Sequence, residues 1–130
     1  MKKVLLMTVF LMTVCCAQAQ SVNQPGEKYP VYCSVKGYNF WGAGKVKVQL
    51  DLGNKSSNFE SLLDENGKQI KFNTMMEVIN YMAKRGWELD KVCFFTEGIS
   101  KTNVANYILK KYITDDQQIR EGLNTEADKD

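Results

Sequence analysis

Residues 45–52 read KVKVQLDL. Val46, Val48, Leu50 and Leu52 share one parity, and Lys45, Lys47, Gln49 and Asp51 share the other. Successive side chains of a strand point to opposite faces, so this alternation predicts a strand with one face on a core and one in water. A 3.6-residue helical repeat would scatter the same apolar groups around its surface. Antiparallel sheets tolerate one wet face, whereas parallel sheets are covered on both. The reading of the rest of the chain works outward from here.

Upstream, residues 29–36 (YPVYCSVK) alternate again, with Val31, Cys33 and Val35 on one face and Tyr32 and Ser34 on the other. Proline donates nothing to a ladder, so Pro30 belongs at the start of this strand or on an edge. The link 37–44 is short enough to make the two strands an antiparallel hairpin. Downstream, residues 53–58 are polar and loop-like. Asn66-Gly67 then marks a tight turn between Leu62-Leu63 and Ile70-Phe72, predicting a short hairpin or edge ribbon.

One helix follows. Thr74-Met75-Met76-Glu77 has the form of a capping box, with Asn73 as a rival N-cap. Met75, Val78, Ile79 and Met82 recur at three- and four-residue steps and form one apolar stripe. Lys84 and Arg85 suit the negative end of the helix dipole, and Gly86 suits a left-handed terminator. The spacing predicts a helix over 75–85. Residues 87–96 (WELDKVCFFT) read as a third strand of mixed parity. Trp87, Leu89, Cys93 and Phe95 share one face while Val92 and Phe94 share the other. Such a strand is either covered on both faces or carries a bulge. Gly98 opens a turn, and residues 104–113 (VANYILKKYI) predict a fourth strand. The expected architecture is α+β in the order β-β-α-β-β, a single helix packed on a four-stranded, mainly antiparallel sheet.

The chain has 130 residues, enough for one domain, with 25% charged and 44% apolar residues. The first 19 residues read as a secretory signal peptide. Lys2 and Lys3 precede an apolar run over 4–14, and Ala17-Gln18-Ala19 supplies the small residues of a cleavage site. The run is shorter than the ~20 residues that span a bilayer. The alternative is a lipid anchor on Cys15 or Cys16, but Met12 and Val14, or Thr13 and Cys15, fit a lipoprotein cut poorly. Residues 20–28 form a polar leader segment and residues 29–114 the α+β domain. Residues 115–130 form an acidic tail with only Ile119 and Leu123 as sizeable apolar groups, predicted to be disordered. Losing two lysines with the leader takes the net charge from +2 to zero, and no clustered basic stripe points to nucleic acid. No membrane span is expected in the mature chain.

The residues 71–75 (KFNTM), Asn80-Tyr81-Met82 and Gly86-Trp87-Glu88, preceded by 64–68 (DENGK) and by Tyr32-Cys33, carry a resemblance. Together they resemble a group of small uncharacterised exported proteins from gut Bacteroidales, over roughly residues 31–113. The helix–Gly-Trp-Glu-Leu–strand segment is also similar to a widespread bacterial domain of unknown function. The resemblance implies export from a Gram-negative cell, to the periplasm or beyond, and implies no catalytic residue.

Histidine is absent from the chain. Imidazole acid–base chemistry, Ser–His or Cys–His nucleophiles and His-ligated metals are thereby excluded. The loop 37–44 departs from a phosphate loop because Asn39 stands where the first glycine should be. Its aromatic tip, Tyr38, Phe40 and Trp41 with Lys45 beside it, is the candidate binding site for a glycan or protein, set against the same rings plugging the core. Asp64-Glu65 and Asp115-Asp116 are adjacent acids, and glycosidase pairs instead face each other across a cleft. Cys33 and Cys93 are a disulfide candidate in an oxidising compartment, with buried thiols as the alternative. No cofactor and no metal are expected. The chain reads as an exported binding or interaction module at the cell envelope. The alternatives are a small inhibitor or immunity-type protein, or a hydrolase using carboxylates alone.

Overall fold

A computed structural model describes residues 24–39, 44–53, 59–99 and 102–126. The signal-peptide region, the tip residues Phe40 and Trp41 and the last four residues lie outside this set. The described elements are β1 (Tyr29–Asn39), β2 (Val46–Asp51), β3 (Glu60–Ser61), β4 (Lys71–Phe72), α1 (Met75–Ala83), β5 (Glu88–Glu97) and β6 (Thr102–Ile113). A short 3-10 helix at Asp116–Ile119 follows. The architecture is α+β, with an antiparallel sheet in the order β3-β2-β1-β6-β5 and β4 also paired to β2.

Among the described residues the sheet has six strands rather than four. The two additional ones are two-residue pairings, Gln49 with Ser61 and Lys47 with Lys71, that flank the Asn66-Gly67 turn. That turn forms the expected short hairpin. Leu63 bridges Gln69, Gly67 has φ +73°, and the Asp64 amide donates to the Lys68 carbonyl at 2.8 Å.

β1 and β2 form the expected antiparallel hairpin, with Val35 opposite Leu50 and Gly37 opposite Val48. β2 alternates as its sequence does: Val46, Val48 and Leu50 are buried, and Lys47 and Gln49 lie between them on the wet side. Pro30 is placed where β1 pairs only with β6, because the β1–β2 ladder begins at Ser34. Its missing N–H therefore costs no ladder bond on the β2 side.

Helix α1 starts as its cap residues dictate. The Thr74 hydroxyl accepts from the Glu77 amide at 3.2 Å, and the Glu77 carboxylate reaches back to the Asn73 amide at 2.6 Å. So Thr74 is the N-cap, and Asn73 supplies the reciprocal N–H of the box. Val78 and Met82 are buried, with Met75, Ile79 and Tyr81 partly so. Met75 sits against Gly37, where a Cβ would come within 2.2 Å of its sulfur. The helix ends at Ala83, two residues short of the expected boundary. Gly86, at φ +87°, then turns the chain so that the Trp87 amide donates to the Met82 carbonyl at 3.2 Å. This delivers Trp87, 1% exposed, into the core between helix and sheet.

The expectation of a disordered acidic tail is corrected for residues 115–126. Asp115 caps the 3-10 helix by accepting from the Gln117 amide. Leu123 is buried beside Leu62, Thr125 is fully buried and bridges Leu62, and the Leu63 amide donates to the Asn124 carbonyl at 2.8 Å. Composition alone underweights this segment. Its ordering rests on Leu123 in the core, Ile119 packed against it, and a charge-assisted network through Arg120.

Candidate interaction surface

Among the strands of the described residues, β5 carries the longest run of exposed positions. It is the end strand of the sheet, and among the described residues no strand pairs with its outer edge. Of its ten residues, only Cys93 and Glu97 are even partly buried. Phe94 is 72% exposed and Phe95 49%, with Leu89 and Val92 also exposed, and Ile99 beyond them is fully exposed. The mixed parity of this segment has the bulge as its cause. The register slips between Leu89 and Lys91, so Leu89 faces Leu109 while Lys91 faces Ile108. From Lys91 onward the odd residues lie on the side away from the helix, and Val92, Phe94 and Thr96 on the helix side. Of the two expected alternatives, a strand covered on both faces or one carrying a bulge, the structure has the bulge.

On the face away from the helix, Lys36 crosses to Glu97 at 2.6 Å and lies 4.7 Å from the centre of the Phe59 ring. Tyr32 and Tyr112 are exposed on the same face. This surface mixes aromatic groups with one ion pair. Such a composition suits association with another polypeptide.

The two cysteines do not come together. Cys33 faces Leu109 and is buried on the helix side, whereas Cys93 faces Asn106 on the other side. Both are free thiols. The three-residue offset along β6 puts their side chains on opposite faces, and a disulfide needs Cβ atoms within ~4.5 Å on the same side. The expected bridge is therefore corrected to two thiols. Burial, reinforced by the charge of Asp51, pushes the Cys33 thiol up to about 12.

The aromatic tip is only partly described. Tyr38 is half-buried at the end of β1 opposite Lys47, and Phe40 and Trp41 lie outside the described residues. Lys45 is committed to the helix start, its ammonium donating to Asn73 Oδ1 at 2.5 Å. Tyr38, Lys47, Gln49 and Gln69 line a shallow hollow beside it.

The adjacent acids hold turns. Asp64 Oδ1 accepts from the amides of Asn66 and Lys68, and Asp116 accepts from the Tyr29 hydroxyl at 2.6 Å. That bond pushes the Tyr29 phenol up to about 12. A groove runs between Asp64, Tyr81, Arg85 and Asn124. Its one guanidinium is already engaged: Arg85 lies 3.4 Å from the Tyr81 ring centre and donates to the carbonyls of Gly122 and Tyr81. Among the described residues no cluster of three or more acids and cysteines could hold a metal ion, and no helix is long and apolar enough to cross a membrane.

No protein-family model matches the chain, and neither the curated proteins nor the solved structures contain a significant match to it. The candidate surface therefore rests on its geometry. The Phe94-Phe95 pair is legible in the sequence, where the mixed parity left a covered strand and a bulged one as alternatives.

Proposed function

We propose that the chain is an exported protein-binding module that docks its partner along the β5 edge. The observation that carries this is the exposure of Phe94 and Phe95 on β5, the end strand of the sheet among the described residues. Open edges bearing apolar side chains recruit further strands, and folds with no use for them blunt them with charge, proline or covering elements. Export is supported by the basic start, the apolar run and the Ala17-Gln18-Ala19 end of the first nineteen residues. Periplasmic or extracellular placement follows from that leader and from the resemblance of the 64–88 segment.

Affinity capture from the protein's own cell envelope tests the proposal, comparing the wild-type chain with Phe94→Ser/Phe95→Ser. Both rings are exposed, so the melting temperature is expected to hold while capture is lost. Equal capture by the variant overturns edge docking. A glycan remains the second reading because Tyr38 lines a shallow hollow with Lys47, Gln49 and Gln69, and Phe40 and Trp41 follow Tyr38 closely in the sequence. Retention on immobilised glycans that survives loss of the β5 rings favours that reading instead.

A further inference from the structure

The β5 edge carries its own complement. Residues that face each other across an antiparallel ladder project to the same side of the sheet. When both strands are the same segment related by a two-fold axis, facing residues must share parity, so the axis passes through a residue and never between two. Within 91–97 (KVCFFTE) the centres to compare are therefore Val92, Cys93, Phe94 and Phe95.

A centre on Val92 sets Lys91 against Cys93 and Asp90 against Phe94. A centre on Cys93 sets Lys91 against Phe95. A centre on Phe95 sets Glu97 against Cys93. Only a centre on Phe94 sets Lys91 against Glu97, and symmetry makes that pair twice. It also sets Val92 against Thr96, two β-branched residues, and Cys93 against Phe95, with the two Phe94 rings meeting at the axis.

The faces agree with this register. Lys91, Cys93 and Phe95 share the side of Ile108, Asn106 and Val104, with Glu97 two residues on in the same parity, and Val92 and Phe94 share the side of Tyr107 and Ala105, with Thr96 next in theirs. A facing copy thus sets Phe94 against Phe94 and Val92 against the β-branched Thr96 on one side, Cys93 against Phe95 on the other, and a charge against its opposite at each end. Lys91 is well exposed and only 3.7 Å from Asp90, so it can be shared with an incoming carboxylate. Glu97 is held in place by Lys36 through one carboxylate oxygen.

We propose that the occupant of the β5 edge is a second copy of this chain, paired antiparallel about Phe94 into one continuous two-fold sheet. The proposal rests on the edge-docking reading and names its partner. An isologous pairing of this kind closes on itself and uses up the open edge, so assembly stops at two copies.

Sedimentation of the purified chain over a wide concentration range is expected to show a monomer–dimer equilibrium. The cross-strand charge pair occurs twice, so Lys91→Glu or Glu97→Lys alone is expected to weaken the dimer about tenfold. The double swap Lys91→Glu/Glu97→Lys is expected to restore it. In a Cys33→Ser/Cys93→Ser background, Phe94→Cys is expected to oxidise to a covalent dimer, and Val92→Cys is not.

A monomer at every concentration overturns self-pairing. If that monomer still captures envelope protein in a Phe94-dependent way, edge docking stands with a different occupant, and if it does not, both readings fall. A dimer that forms but ignores the charge swap and cross-links at another position overturns the Phe94 register.

Discussion

Arg120 grips the buried Glu60 with both terminal nitrogens, at 2.9 and 2.5 Å, and Thr125 donates to the same carboxylate at 2.6 Å. Glu60 is 5% exposed and lies 60 residues upstream, so this bidentate pair pins the C-terminal segment onto β3.

Removing the guanidinium takes two charge-assisted hydrogen bonds away from a buried carboxylate. Arg120→Ala is expected to cost about 2–3 kcal/mol, below the largest values for buried pairs because Arg120 itself is partly exposed. Urea unfolding measures the loss. Hydrogen exchange is expected to show it locally, with the amides of Leu63 and Leu123 losing protection first.

The two thiols differ in environment. In native protein without reductant, alkylation is expected to modify Cys93 and spare Cys33, and in denaturant both are expected to react. Mass analysis that finds neither modified before reduction would reveal a bridge and contradict the placement on opposite faces.

Alkaline pH is expected to destabilise the fold. Cys33 loses its proton near 9 when unfolded but near 12 when folded, and Tyr29 near 10 against near 12. Between those values the folded state binds more protons, so stability is full below about pH 9 and falls as pH rises toward 12. Chemical denaturation at a series of pH values checks the slope, and Cys33→Ala is expected to flatten it.

Gly86 holds φ +87° at the helix exit, with the Lys111 side chain 3.3 Å from where a Cβ would stand. Gly86→Ala is expected to cost about 1 kcal/mol from the left-handed backbone alone, and a β-branched residue more. Thermal unfolding of the two variants gives the order.

Intact mass of the exported protein is expected to match a chain beginning at Gln20, after cleavage behind Ala19. A mass carrying a diacylglyceryl group on Cys15 or Cys16 contradicts this.

What the sequence determined by itself was local. The parity of residues 45–52 set a one-sided strand, Thr74 and Glu77 set where the helix begins, and Asn66-Gly67 and Gly86 set two turns. Each of these depends on backbone geometry within a few residues, so each could be read without knowing the neighbours. Tertiary structure decided everything that needed a partner distant in the chain. Cys33 and Cys93 have the right spacing and compartment for a bridge, but their faces are fixed by which residues of β6 they oppose, and those residues are three apart. The tail looked too polar to order until Arg120 met a carboxylate 60 residues away. For residues 87–96 the sequence left two readings open, cover on both faces or a bulge, and the pairing with β6 decided for the bulge. The exposure of Phe94 and Phe95 depends on what packs against β5, which no local pattern encodes.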